Sequence, residues 1–250
     1  MSGHSKWSSI KRAKGVADAQ RGQLFTKLSK EIIIAAKQGG GDPATNFRLR
    51  LAVQKAKEAN MPNENIDRAI KRGAGSGDGA DDIQEIVYEG YGPHGTAVIV
   101  EAATDNRNRT VAEVRNVFTR AGGGLGETGS VGWNFETRGV LSIQNGAKDP
   151  DELALLAIDA GAEDVQVSDD SIDVYTQPAD METVKRALEG NGIEVASAET
   201  QRVPKTTVQL DESAAIQTMR FIERLEGLDD VQKVYFNAEF SDAVFAALAS

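Results

Sequence analysis

Lysine and arginine side chains dominate the first 75 residues, and their characteristic chemistry is the neutralisation of phosphate oxygens. This segment holds 15 lysines and arginines against six acids, a net charge of +9, whereas the rest holds 13 against 32 and carries −19. Cations on a helix face or a mobile arm displace counterions from a polyanion backbone, so we expect a polyanion as the partner. The open alternative is that the two halves attract each other within one molecule.

The candidate nucleic-acid-binding residues combine these cations with one histidine and one tryptophan, whose ring can stack on a base. Phe25 and Phe47 can stack in the same way or belong to the core. For any single cation, a solvated helix face is an equally simple explanation, so the hypothesis rests on the cluster. The predicted set is His4, Lys6, Trp7, Lys11, Arg12, Lys14, Arg21, Lys27, Lys30, Lys37, Arg48, Arg50, Lys55, Lys57, Arg68, Lys71 and Arg72.

A second candidate anion or RNA site lies in a polar loop between a predicted strand and a predicted helix. Free backbone N–H groups at a helix N-terminus favour anions, and two arginines add forked donors. The alternative is a polar loop that simply caps the helix. The predicted residues are Asn106, Arg107, Asn108, Arg109 and Thr110.

Catalytic and metal chemistry find little support in the sequence. His4 and His94 have no serine or carboxylate at a spacing typical of nucleophilic catalysis. The acidic pairs 81–82, 169–170 and 229–230 fall in predicted turns, where solvated carboxylates are normal. No loop has the spacing of a calcium site. We therefore expect no enzyme activity, no cofactor, no metal site and no small-molecule substrate.

Composition restricts the class of protein further. The chain has no cysteine, which excludes disulfides and thiolate zinc sites and suits a reducing cytoplasm. No apolar run approaches the length that crosses a membrane, so we expect no membrane partner. The glycine-rich segment 122–126 follows a helix and lacks a terminal Gly-Lys-Ser/Thr, which favours a helix stop over a phosphate cradle.

Three short helices must position the N-terminal cations. Leu24, Leu28, Ile32 and Ala35 share one face, which predicts a helix from Gln23 to Gln38. Two further helices are predicted over residues 44–59 and 63–72, and they complete a three-helix bundle. The glycine-rich segment 73–79 marks a linker, and the sign of the charge changes there.

The remaining residues predict two ferredoxin-like α/β domains, one inserted in the other, in an α+β protein. Residues 139–199 have the order β-α-β-β-α-β. Strands 96–102, 131–136, 204–210 and 231–236, with helices 111–121 and 212–226, repeat that order in the flanks. Thr110 to Glu113 forms a capping box that predicts a helix start at Val111. The predicted domains are 1–75, then 80–136 plus 203–240, then the inserted 137–202.

The chain resembles the YebC/PmpR family, which includes the mitochondrial translational activator of cytochrome oxidase. The resemblance is carried by a long series of short motifs. They occupy residues 3–7, 21–28, 41–43, 59–62, 65–73, 88–93, 104–110 and 129–131.

The resemblance implies three domains, with a helical N-terminal domain and two α/β domains. Bacterial members are described as DNA-binding transcriptional regulators. The mitochondrial branch acts on translation, and bacterial relatives have also been linked to the ribosome. DNA is the expected partner and ribosomal RNA the alternative; a protein adaptor with no nucleic acid is a third hypothesis. The chain departs from the family at the basic stretch 10–14, at Phe47 where proline is common and at His94 where glycine is common.

Overall fold

The computed structural model describes residues 18–75, 83–144, 149–168 and 171–240, with side chains from residue 21 onward. Within these ranges the chain forms two compact units. One unit is residues 135–205, and the other contains the described residues on either side of that segment. The mixed α+β class and the N-terminal three-helix region predicted from the sequence are confirmed.

Three helices form the N-terminal region, which we call the helical region (residues 18–75). They are α1 (Asp18–Gly39), α2 (Phe47–Glu58) and α3 (Asn63–Gly73). The predicted apolar face of α1 is buried against both partners, in a core that includes Ile32 and Leu49. Gly73 permits the close approach of α3 to α1, because a Cβ there would lie 2.3 Å from the carbonyl oxygen of Ile33. Helix packing therefore fixes which faces carry their cations into solvent.

The first sheet is antiparallel, with its strands in the order β3 (Gly124–Leu125), β1 (Gln84–Tyr91), β2 (Ala97–Thr104) and β9 (Val231–Phe236). One face packs on two helices, where the rings of Phe118 and Phe221 meet edge to face with centroids 4.9 Å apart. The opposite face contributes Ala103 to the core of the helical region. The two helices are α4 (Arg107–Arg120) and α7 (Glu212–Glu226).

The unit formed by residues 135–205 has the ferredoxin-like arrangement predicted for it. Its first strand lies at the centre of an antiparallel sheet, between the third and fourth, with the second at the far edge. Its elements are β4 (Phe135–Gln144), α5 (Pro150–Asp159), β5 (Asp164–Val167), β6 (Ser171–Thr176), α6 (Met181–Gly190) and β7 (Ser197–Pro204).

Two strands predicted for the first sheet are wrong. Residues 132–134 form a single 3-10 turn, and the strand that follows pairs on both sides within the other unit. Residues 208–209 form β8, which within the described part of the chain pairs only with β10 (Ala238–Glu239). The strand beside β2 in the first sheet is β1 instead. All eight residues of β1 pair with β2 in continuous register. The two four-stranded sheets therefore have the same spatial arrangement of strands, but the strands follow one another in a different order along the chain.

The predicted start of α4 is also wrong. The helix begins at Arg107, because the side chain of Asn106 accepts a hydrogen bond from the backbone N–H of Arg109 and serves as the N-cap. Thr110, predicted as the cap, lies buried in the first turn. Its hydroxyl donates a hydrogen bond to the carboxylate of Asp230.

Candidate nucleic-acid interface

Helix α1 presents part of its cationic face to the loop that follows α7. The Nζ atom of Lys27 donates to the carbonyl oxygen of Glu226 at 2.6 Å. The Nζ atom of Lys30 donates to Oδ1 of Asp230 at 2.6 Å, and Gln23 donates to the carbonyl oxygen of Gly227. These two predicted lysines therefore hold the helical region on the first sheet and its helices α4 and α7, which we call the α/β body.

Asp230 is the buried centre of this contact, with 1% of its surface exposed. Its carboxylate accepts hydrogen bonds from Lys30, Arg109 and the hydroxyl of Thr110. Burial alone raises the pKa of Asp230, but these three donors outweigh burial and lower the pKa to about 2. The prediction that residues 229–230 are both solvated is therefore wrong for Asp230.

Three further cations of the predicted set are engaged or partly buried. Arg48 pairs with Glu85 at 2.5 Å, across the junction with β1. Arg50 donates to the carbonyl oxygen of Pro43, and its guanidinium lies 5.2 Å from the ring centroid of Phe47. Arg72 is half-buried on α3. Their positive charge remains, but the side chains of Arg48 and Arg50 have structural contacts as well.

Six other cations of the helical region are exposed, and we call them the exposed cation set. They come from all three helices, because each helix turns its apolar face to the common core and its cations outward. On α3 the buried residues are Ile66, Ala69 and Gly73. Arg68 and Lys71 are three residues apart, so they lie together on the outer face of the helix. The set is Arg21, Lys37, Lys55, Lys57, Arg68 and Lys71.

The second candidate site divides into two parts. Arg109 donates to Asp230 and Asp105, Thr110 is buried, and the Asn106 side chain caps the helix. Arg107 and Asn108 are exposed at the first turn of α4. Only those two residues of the loop present side chains that a phosphate can approach without displacing these contacts.

The remaining predicted residues lie outside the described part of the chain. They are His4, Lys6, Trp7, Lys11, Arg12 and Lys14.

The sequence matches two family profiles that together span nearly the whole chain. Residues 5–76 match the N-terminal domain of TACO1/YebC proteins, and residues 83–238 match their second and third domains. The chain belongs to the TACO1/YebC family. The predicted membership of the YebC/PmpR family is confirmed.

Relatives within the TACO1/YebC family are similar over their full length. A probable transcriptional regulatory protein of Dehalococcoides mccartyi is 56% identical over 244 residues, which cover 98% of this chain and 97% of the relative. Proteins of the same description from Roseiflexus castenholzii and Herpetosiphon aurantiacus are 57% and 56% identical. Each match covers 96% of the relative, with 96% and 97% of this chain.

A solved structure has the same fold. The crystal structure of a conserved hypothetical protein from Aquifex aeolicus is 47% identical to this chain, with a TM-score of 0.82. The match covers 90% of this chain and 93% of the Aquifex chain. The architecture described above is therefore that of an experimentally determined relative.

Reasoning from sequence missed Asp230 as the partner of Lys30 and Arg109. The three residues lie far apart in the chain, and an acidic pair in a turn gives no sign that one member is buried. In the described ranges of this TACO1/YebC chain, no helix is long and apolar enough to cross a membrane. The same ranges contain no group of three His, Asp or Glu side chains placed to hold a metal ion.

Proposed function

We propose that this protein is a nucleic-acid-binding regulatory protein, and that it acts on transcription through DNA in the cytoplasm. The exposed cation set grips the phosphate backbone, with Arg107 and Asn108 as a second contact. The relatives support the regulatory role, because each is described as a probable transcriptional regulatory protein. The proposal assigns no reaction and no cofactor to the chain.

The exposure of the six cations is the observation that carries the proposal. Had the acids of the α/β body covered every lysine and arginine of the helical region, no positive surface would remain for phosphate. Lys27 and Lys30 are held in that way, but the exposed cation set is not buried by the body. Each phosphate that such a cation neutralises releases counterions and contributes to affinity.

The outer face of α3 favours contact with the outside of a nucleic acid over insertion into a groove. Glu64 and Asp67 are exposed beside Arg68 and Lys71. In a groove, these carboxylates would face phosphates on both sides and repel them. Backbone contacts position a protein without reading bases, so the target sequence must be selected by other means.

An RNA-binding translation factor is the second candidate function, and the same mixed surface favours it. Backbone contacts without groove reading suit folded RNA, which proteins recognise largely by shape. The strongly acidic remainder of the chain also fits a partner that meets the helical region only. Ribosomal RNA is the expected target in that case.

Binding measured by fluorescence anisotropy against salt tests the proposal. We expect Arg68→Ala/Lys71→Ala to weaken binding to duplex DNA and to flatten the slope of log affinity against log salt. The flattening is roughly one unit per lost phosphate contact. The control, Lys205→Ala/Arg220→Ala, removes the same charge from exposed positions elsewhere and should leave the slope unchanged.

The identity of the nucleic acid is decided by comparing duplex DNA with a ribosomal RNA hairpin at about 150 mM salt, near physiological ionic strength. Tighter binding to DNA supports transcriptional regulation, and tighter binding to the hairpin supports the translation factor. Failure to bind either, with the fold intact, overturns the proposal and favours a protein adaptor.

A further inference from the structure

Two exposed aromatic side chains, Tyr91 at the end of β1 and Trp133 in the 3-10 turn 132–134, are not explained by the cation chemistry. Trp133 is 66% exposed and Tyr91 is 44% exposed, which is unusual for rings of this size. Both are tied to one atom: the indole N–H of Trp133 and the hydroxyl of Tyr91 donate to the carbonyl oxygen of Ser130, at 3.0 and 3.3 Å. We call this pair the aromatic platform.

A buried carboxylate holds the loop that carries the platform. Glu89 lies on the same strand as Tyr91, and its two oxygens accept hydrogen bonds from the backbone N–H groups of Gly129, Val131 and Gly132 at 2.7–2.9 Å. A Cβ on Gly132 would lie 3.2 Å from both carboxylate oxygens, so glycine keeps this contact uncrowded. Trp133 therefore sits on a loop that is fixed before any partner arrives.

The surface that the platform exposes belongs to two aromatic rings. The polar atom of each ring already has a partner, so neither ring needs a further hydrogen bond from a ligand. The carboxylate of Glu89, on the same strand as Tyr91, is buried and surrounded by donors. Preorganised rings with satisfied polar edges are what nucleobase stacking requires, and stacking accepts any base because every base has a π-face.

We propose that Tyr91 and Trp133 form a stacking site for an unpaired base of a single-stranded nucleic acid. The inference rests on the proposed function, because the exposed cation set belongs to the same compact unit and supplies the affinity for phosphate. The platform adds a preference for unpaired segments that the cations alone do not have. A strand with splayed bases binds both features, whereas a closed duplex binds the cations only.

Tryptophan emission tests the platform directly. The chain has two tryptophans, so Trp7→Phe leaves Trp133 as the single reporter. Because Trp7 belongs to the predicted binding set, every further variant is made in the Trp7→Phe protein and is compared with that protein, which we call the reference protein, and not with wild type. An unstructured RNA of about 12 nucleotides is compared with an abasic strand of equal length and charge, within the site sizes known for single-strand binders. We expect the base-containing strand to quench emission and the abasic strand, although bound, to leave it unchanged.

Substitutions separate stacking from folding. In the reference protein, Trp133→Ala and Tyr91→Ala should each weaken binding of the base-containing strand about fivefold or more, and leave binding of the abasic strand unchanged. Tyr91→Phe keeps the ring but loses the hydrogen bond to Ser130, so it should bind the base-containing strand more tightly than Tyr91→Ala does. Leu155→Ala is the matched control, because Leu155 is an equally exposed apolar residue, 68% exposed, on α5.

The outcomes distinguish this inference from the proposed function. If both strands bind equally and emission does not change, the platform is not a stacking site, while nucleic-acid binding through the cations stands. If neither strand nor duplex binds, the proposed function fails and the inference fails with it. Quenching by an apolar peptide but not by the base-containing strand would assign the platform to a protein partner and also overturn the inference.

Discussion

The ammonium of Lys30 lies 2.6 Å from the buried carboxylate of Asp230, and this ion pair joins helix α1 to the loop before β9. The same carboxylate pairs with Arg109 at 2.8 Å. A lysine from the helical region and an arginine from the α/β body thus share one acid. The contact uses cations that the charge pattern assigns to nucleic acid, and it gives them a structural role.

Replacing Asp230 should destabilise the protein. Asp230→Asn removes the charge but keeps the shape, which leaves Lys30 and Arg109 facing a neutral amide. We expect the free energy of unfolding in urea to fall by about 2 kcal/mol, the scale of hydrogen bonds to a charged group. Asp229→Asn is the control, because Asp229 is exposed and should change stability little. Equal stability of the two variants would contradict a structural role for Asp230.

The contact should also make stability depend on pH in the acid range. The pKa of Asp230 is about 2 in the folded protein against an ordinary 3.8, so the unfolded chain binds the proton more tightly. The stabilisation is complete above about pH 4 and is lost as the pH falls towards 2, in total about 2 kcal/mol. The measurement is the difference in unfolding free energy between wild type and Asp230→Asn at several pH values. A difference that stays constant down to pH 2 would rule out the linkage.

The two arginines of the loop at the start of α4 should behave differently. Arg109 binds Asp230 and Asp105, whereas Arg107 is exposed. We expect Arg109→Ala to lower the thermal midpoint, and Arg107→Ala to leave the midpoint unchanged while weakening nucleic-acid binding at low salt. Arg107→Lys should restore that binding. An Arg107→Ala protein that binds like wild type would remove the second contact from the proposal.

Glu89 should be needed for the rigidity of the loop that bears Trp133. In Glu89→Gln one acceptor oxygen is replaced by an amide group that faces backbone N–H donors. We expect a loss of about 1–3 kcal/mol in unfolding free energy. Amide hydrogen exchange at Gly129, Val131 and Gly132 should become faster. Glu127→Gln, an exposed acid of the same loop, should alter neither quantity.

Two glycine-to-alanine substitutions should change stability in opposite directions. Gly73→Ala places a Cβ against the carbonyl oxygen of Ile33 and the side chain of Ala36, so α3 must move away from α1. We expect a loss of about 1–3 kcal/mol from overpacking. Gly22→Ala meets nothing within 4 Å on α1 and should gain about 0.5–1 kcal/mol through helix propensity. Urea unfolding measures both, and a neutral Gly73→Ala would refute the close approach of the helices.

The sequence by itself determined the features that are local in the chain. The charge division needs only a count of residues, and the 3.6-residue spacing of Leu28, Ile32 and Ala35 marks the buried face of α1 whatever it packs against. The ferredoxin-like unit can also be predicted from the sequence, because its helices and strands follow one another along the chain without interruption. The family motifs added the identity of the fold.

Only the tertiary structure decided which distant residues meet. Strand 84–91, and not residues 131–136, completes the first sheet, because pairing depends on partners that local propensity does not specify. Lys30 and Arg109 look like any exposed cation until Asp230, 200 and 121 residues away, is placed between them. Burial, which gives a charge its structural or binding role, is a property of the whole packed chain and not of any short segment.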